Sequence, residues 1–203
     1  MILSGATCSG KTTFLNRLLN EKRGLYGGDD WTVLYCYGVH QIKYEEMQAE
    51  MTDITFKQGL PSNADIDLLT SRSGRKILVL DDLAEACVND PDISKLFTQG
   101  MHHRGLSIIL VLQNMYQSGK CSRTIALNAF YCVFFENNAD RQQIATKARQ
   151  MYPGNSKKMV DAYEAFTEER YGYMFVDASP GSNPAYRLRT HVFPDEYPIV
   201  WTA

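Results

Sequence analysis

The sequence predicts an α/β fold: a three-layer sandwich of helices around a mostly parallel central sheet, with an antiparallel hairpin at the C-terminal end. Three observations predict it. Strand-like and helix-like stretches alternate along the 203 residues, and such chains place parallel strands between two layers of helices. Lys76-Ile77-Leu78-Val79-Leu80, Leu106–Leu112 and Tyr131–Phe135 are nearly continuous apolar runs, as strands covered on both faces should be. The chain also opens on a short apolar run, Ile2-Leu3-Ser4, which leads through a glycine-bounded turn into a helix-periodic stretch.

That turn carries the most specific signal. Gly5-Ala6-Thr7-Cys8-Ser9-Gly10-Lys11-Thr12 fits G-x-x-x-x-G-K-[ST], the phosphate-binding P-loop. Its two glycines let the loop curl so that backbone N–H groups point inward at phosphate oxygens. The helix that follows adds the positive end of its dipole. Lys11 supplies a compact charge for the β- and γ-phosphates, and Thr12 a hydroxyl for Mg²⁺. The candidate nucleotide-binding residues are therefore Gly5, Ala6, Thr7, Cys8, Ser9, Gly10, Lys11, Thr12 and Thr13. Phe14, Leu15, Leu18 and Leu19 recur at helical spacing behind them.

The remaining elements follow in order. Residues 21–30 are polar with a Gly27-Gly28 pair, a loop. Trp31–Tyr37 is rich in β-formers. Tyr44–Met51 reads as a helix, Asp53–Lys57 as a short strand and Asp65–Leu69 as a weak helix. After the strand ending in Asp81-Asp82, Pro91–Met101 reads as a helix with Asp90 as its N-cap. Asp140–Tyr152 and Ser156–Glu168 are helical, and Tyr171–Asp177 and Tyr186–Val192 are terminal strands forming a hairpin. No repeat or linker interrupts the chain, so residues 1–203 read as one domain with a short first strand.

In parallel sheets, ligands sit at the C-terminal ends of the strands. Gly5, Asp81, Gln113 and Glu136 all stand at strand ends, so polar groups from distant positions should meet on one edge. Asp81 is placed to hold Mg²⁺. Asp82 is a second carboxylate able to take a proton from an attacking water, or else a cap after the strand. Gln113 is placed to hydrogen-bond the γ-phosphate and that water, or else to cap loop backbone. Arg104 and Arg123 are the candidate arginine fingers, groups that stabilise transition-state charge from a neighbouring subunit, or else ordinary salt-bridge or DNA-backbone residues. His102 and His103 have no Cys or Glu at metal-ligand spacing, which argues against zinc.

Composition narrows the setting. Five scattered cysteines without a C-x-x-C read as reduced thiols of an intracellular protein, and Cys8 reads as a small filler in the loop rather than a redox-control site. No apolar run approaches a membrane span. Net charge is −2, but Lys120 to Lys158 holds seven basic residues against two acids. That window is a solvated basic face or a contact for polyanions.

Gly5–Thr12, Leu80-Asp81-Asp82 and Leu112-Gln113-Asn114 resemble the FtsK–HerA superfamily of ring ATPases. More narrowly, His102-His103-Arg104-Gly105-Leu106-Ser107, Gln113-Asn114 and Ser122–Asn128 resemble the packaging ATPases of Polinton/Maverick elements and adintoviruses, relatives of the poxvirus packaging ATPase. Ala148–Pro153, Tyr171-Gly172-Tyr173, Gly59-Leu60-Pro61 and Arg187–Thr190 are similar to the same group. The resemblance implies an ATP- and Mg²⁺-dependent motor that moves double-stranded viral or transposon DNA into a capsid. It also implies a homo-oligomeric ring with active sites between subunits, capsid proteins as partners, and a place in the host cytoplasm or nucleus or in the virion. A P-loop small-molecule or nucleoside kinase and a non-catalytic nucleotide-binding remnant are the competing readings. The paired Asp81-Asp82 and Gln113 speak against the kinase, which needs no hydrolytic water. The intact Lys11, Thr12, Asp81 and Gln113 speak against the remnant.

Overall fold

The structure, a computed structural model, describes residues 1–100 and 105–202, with the side chains of residues 99 and 100 left aside. The elements in chain order are β1 (Ile2–Ser4), α1 (Lys11–Asn20), α2 (Lys22–Tyr26), β2 (Trp31–Tyr37), α3 (Ile42–Glu50), β3 (Ile54–Gln58), α4 (Asn63–Ser71), β4 (Arg75–Asp81), α5 (Ala84–Asn89) and α6 (Pro91–Lys95). A π-helical turn, Leu96–Gly100, continues α6. Then come β5 (Leu106–Leu112), α7 (Ser122–Asn128), β6 (Tyr131–Phe135), α8 (Gln142–Met151), α9 (Lys157–Phe166), β7 (Tyr173–Asp177), β8 (Leu188–Thr190) and β9 (Ile199–Val200).

The nine strands among the described residues form one sheet in the order β3-β2-β4-β5-β1-β6-β7-β8-β9. The first six are mutually parallel, and β7, β8 and β9 run antiparallel to their neighbours. The expected α/β sandwich with a C-terminal hairpin is thus the fold observed. Alternate residues of the central strands enter separate cores. Leu78, Leu80, Ile108, Leu110, Cys132 and Phe134 face one core, where α4 to α9 pack. Ile77, Val79, Ile109, Val111, Val133 and Phe135 face the other, covered by α1 and α3. Burial on both faces is why these strands read as continuous apolar runs. None of the described helices is long and apolar enough to cross a membrane.

Several elements differ from their sequence reading. The stretch 21–30 contains α2, and α5 and α7 are also helices; at five to seven residues they are too short to show a period. The helix begun by Pro91 starts as expected, with Asp90 Oδ1 accepting from the N–H groups of Asp92 and Ile93. It gives way to the π-helical turn after Lys95, and its expected last residue, 101, lies outside the described residues. The terminal strands are shorter than expected. Tyr171 (φ 68°) and His191 (φ 53°) adopt left-handed backbone that a strand cannot include, and Pro184–Tyr186 forms a 3-10 turn.

Candidate active site

The P-loop hangs from the sheet by two hydrogen bonds. Gly5 N–H donates to Leu112 O at 3.3 Å on β5, and Ala6 N–H to Glu136 O at 3.2 Å after β6. Glycine is required at position 5, because a Cβ there would stand 2.6 Å from Phe135 Cβ. Gly10, at φ 107°, turns the chain into α1, and no side chain among the described residues caps that helix. Among the described residues nothing accepts from the backbone N–H of Thr7, Cys8, Gly10, Lys11, Thr12 or Thr13. Ser9 Oγ is buried without a hydrogen-bond partner among the described residues. Unpaired donors at a helix N-terminus form an anion site, since the dipole and the N–H groups favour the same charge. Lys11 Nζ lies across this nest and donates to Gly5 O at 2.7 Å and Ala6 O at 2.6 Å. Burial lowers the Lys11 pKa, while the charges of Asp81 and Cys8 oppose that shift.

Asp81, the last residue of β4, is buried. Its Oδ2 accepts from Tyr35 Oη at 2.6 Å and Tyr44 Oη at 3.2 Å. Oδ1 takes no hydrogen bond from the described residues. Burial raises the Asp81 pKa; the two tyrosine hydroxyls work in the opposite direction, as does the charge of Lys11. Tyr44 stacks on Phe56 and Tyr35 packs tilted against both rings, an aromatic cluster that positions both hydroxyls. Asp82 differs from its neighbour. It is exposed, in left-handed backbone at φ 55°. Its Oδ2 stands 3.4 Å from the Cβ position of Gly38, on the β2 side of β4. Asp81 is therefore the carboxylate that faces Lys11 electrostatically, and Asp82 leans toward Gly38.

Strand β5 lies between β4 and β1, so Gln113 at its end stands between Asp81 and the P-loop. The Gln113 side chain is exposed and makes no hydrogen bond among the described residues; its carbonyl accepts from Asn137 Nδ2 at 3.2 Å. The backbone-capping role belongs to Asn114, whose Oδ1 accepts from Tyr116 N. Behind both, buried Gln143 of α8 binds the P-loop strand to this loop. Its Oε1 accepts from Ser4 Oγ at 2.8 Å and Met115 N at 3.2 Å. Sequence reasoning missed Tyr35, Tyr44 and Gln143, since nothing in their local pattern points to partners so far along the chain.

A cleft of about 600 Å³ opens over the loop, between α1 and the ends of β7 and β8. Lys11, Thr12 and Thr13 line it on one side, Tyr171, His191 and Phe193 on the other. Among the described residues only Cys8, Asp82, Tyr171 and His191 are non-glycine residues with left-handed backbone. Three of them line this cleft and the fourth follows Asp81. Such backbone costs free energy and concentrates at functional sites.

The finger candidates stand apart from this group. Arg123, on α7, is exposed and forms no ion pair among the described residues. Arg104, like His102 and His103, lies outside the described residues. Glu136 is exposed, and its Oε1 accepts from Asn138 Nδ2. The basic window is less free than its sequence suggests. Lys147 is buried, Arg141 pairs with Glu164 at 3.1 Å, and Lys157 with Asp161 at 3.7 Å. Lys120, Arg123, Arg149 and Lys158 have no acidic partner among the described residues.

No protein-family model matches the sequence, and no curated protein matches it. Solved structures do. The genome packaging NTPase B204 of Sulfolobus turreted icosahedral virus 2, in complex with ATP-γS, aligns over 99% of this chain and 95% of that one, at 11% identity and a TM-score of 0.60. B204, the DNA-packaging ATPase of Sulfolobus turreted icosahedral virus, aligns over the same shares at 11% identity and a TM-score of 0.59. The cytoplasmic domain of the type VII secretion ATPase EccC of Thermomonospora curvata aligns over 88% of this chain and 24% of that one, at 16% identity and a TM-score of 0.51. At these identities the likeness is one of fold, and the fold this chain shares with them is that of the P-loop NTPases.

Proposed function

We propose that this chain is an ATPase of the FtsK–HerA type that couples hydrolysis of ATP to movement of double-stranded DNA, as one subunit of a homo-oligomeric ring. The observation that carries the reading is the nest of unpaired N–H groups around Ser9 and Lys11, with buried Asp81 on the far side of β5. The nest suits the oxygens of a triphosphate, and on binding Lys11 exchanges the carbonyls of Gly5 and Ala6 for phosphate. Thr12 and the unpaired Oδ1 of Asp81 form an all-oxygen donor pair that fits Mg²⁺, a hard cation held by few protein ligands plus phosphates. When bound, that ion offsets the negative charge of the phosphates. Gln113 orients the attacking water, exposed Asp82 turns from its place beside Gly38 to take that water's proton, and the γ-phosphoryl group passes to the water oxygen, leaving ADP and phosphate. Arg123 or Arg104 completes the site from the neighbouring subunit.

Two features support DNA as the partner. Lys120, Arg123, Arg149 and Lys158 are basic groups without acidic partners among the described residues, suited to phosphate contacts that read no sequence. The B204 proteins whose fold this chain shares are named as genome- and DNA-packaging enzymes. Together with the combination of sequence motifs from His102 to Pro153, this favours packaging of viral or transposon DNA of the Polinton/adintovirus type into a capsid. The test is ATP hydrolysis with and without long double-stranded DNA, over a range of protein concentrations. Specific activity rises with concentration and with DNA, and the DNA effect fades steeply with salt through counterion release. Concentration-independent turnover indifferent to DNA at low salt contradicts the motor and favours the kinase-like reading.

A further inference from the structure

The cleft beside the P-loop has a second end that the phosphate site does not use. From Gly10 the lining follows one stripe of α1, through Thr13 to Arg17, which stand three and four residues apart and so share a face. The opposite wall is Tyr171, His191 and Phe193. A volume of about 600 Å³ is more than three phosphates need and falls in the range of small-ligand pockets.

The polar groups at this end are committed to one another. Arg17 pairs with Glu21 at 2.8 Å, with Glu196 at 2.7 Å and with Asp195, and its guanidinium lies 4.0 Å from the centre of the Phe193 ring. Glu196 Oε2 accepts from Phe193 N at 3.3 Å, and Tyr173 Oη accepts from Val192 N at 3.0 Å. Among the described residues, His191, exposed and without a hydrogen bond, is left at this end to meet the edge of a ligand. What the cleft offers beyond that is an aromatic surface.

Tyr171 is, with His191, an exposed part of that surface, and its backbone holds it in place. Its left-handed φ of 68° turns the ring out of the line of β7. Gly172, next to it, is wedged so tightly that a Cβ there would stand 2.4 Å from Phe166 O. The Tyr171 Cβ and Cδ1 atoms lie 3.4 Å from the Cβ position of Gly10, so the ring is built directly against the phosphate loop. Arg170 covers the ring at 4.8 Å and is not part of the cleft wall, whereas Tyr171 is.

We infer that Tyr171 is the stacking platform for the nucleobase, and that the base is held by its π-face with little reading of its edge. Purine nucleoside triphosphates of either kind then bind alike. This rests on the P-loop reading above and extends it to a residue that takes no part in phosphate binding. A stacked base contributes enough affinity that its loss costs about tenfold in binding.

The test measures equilibrium binding of ATP, GTP and inorganic triphosphate to the wild-type chain and to the Tyr171→Ala, Tyr171→Phe and Lys11→Ala variants. The inference expects similar ATP and GTP affinities. It expects Tyr171→Ala to weaken both nucleotides about tenfold while triphosphate binding is unchanged, and Tyr171→Phe to behave as wild type. Unchanged nucleotide affinity in Tyr171→Ala, an equal loss for triphosphate, or a strong preference for ATP over GTP overturns the inference alone. Lys11→Ala binding triphosphate as well as wild type overturns the P-loop reading and this inference with it.

Discussion

Tyr35 donates a hydrogen bond to Asp81 at 2.6 Å across 46 residues of sequence, inside the core on which α3 packs. The bond fixes one carboxylate oxygen and leaves the other for the site. Groups that orient a metal ligand typically alter metal affinity 10- to 100-fold when removed. Tyr35→Phe is therefore expected to raise the Mg²⁺ concentration for half-maximal hydrolysis by about tenfold or more. A Mg²⁺ titration checks this, and an unshifted midpoint makes the bond a packing feature only.

Asp82 and Asp81 should separate in kinetics. Asp82→Asn keeps the shape but removes the proton acceptor, so nucleotide binding stays and turnover falls by about 10²-fold or more. Asp81→Asn weakens Mg²⁺-dependent binding itself. Normal turnover by Asp82→Asn moves the base elsewhere, with Glu136, on the same sheet edge, the next residue to change.

Gly38 sets the position of this pair. A Cβ at Gly38 would stand 2.2 Å from the Asp82 carbonyl oxygen, a backbone atom with no room to retreat. Gly38→Ala is expected to destabilise by about 1–3 kcal/mol, read from the midpoint of urea unfolding. Gly24, inside α2, meets nothing closer than Pro194 Cγ at 4.0 Å. Gly24→Ala should stabilise by roughly 0.5–1 kcal/mol through helix propensity.

Acid stability has a local contributor. Ser62 and Asp65 form a capping box at the start of α4, and Lys57 contacts the same carboxylate. The Lys57 contact, followed by the Ser62 hydrogen bonds, holds the Asp65 pKa down, from 3.8 to about 2. A depressed carboxylate stabilises the fold above its unfolded pKa and ceases to do so as pH falls through its folded one. Melting temperature should therefore drop between about pH 4 and pH 2, and Asp65→Asn should flatten that segment. Ser62→Ala should cost about 1 kcal/mol at neutral pH.

The fold was legible wherever a residue type had one physical use. Buried parallel strands need continuous apolar runs, and β4, β5 and β6 supplied them at nearly the observed bounds. Gly5 and Gly10 were legible because close packing and a left-handed turn allow little else. The aromatic parts of the site were not. Tyr35 and Tyr44 look like ordinary strand and helix residues until β2 and α3 carry them to Asp81. Tyr171 and His191 look like strand-formers, and only tertiary packing puts them in left-handed backbone beside the loop. Lys147 counted as a surface charge and is buried, because in α8 it shares a face with Ile144 and Ala148.

The central claim is that Lys11 and the N–H nest around it bind and activate a nucleoside triphosphate, and one comparison tests it most directly. Hydrolysis of ATP with Mg²⁺ is measured at saturating nucleotide for the wild-type chain and for Lys11→Ala, alongside thermal unfolding of both. Among the described residues Lys11 bonds only to carbonyls of its own loop, so its loss should leave the melting temperature within a few degrees. Turnover should fall by about 10²-fold or more, as expected when a charged group aimed at the transferring phosphoryl is removed. Hydrolysis by Lys11→Ala at the parental rate contradicts the account.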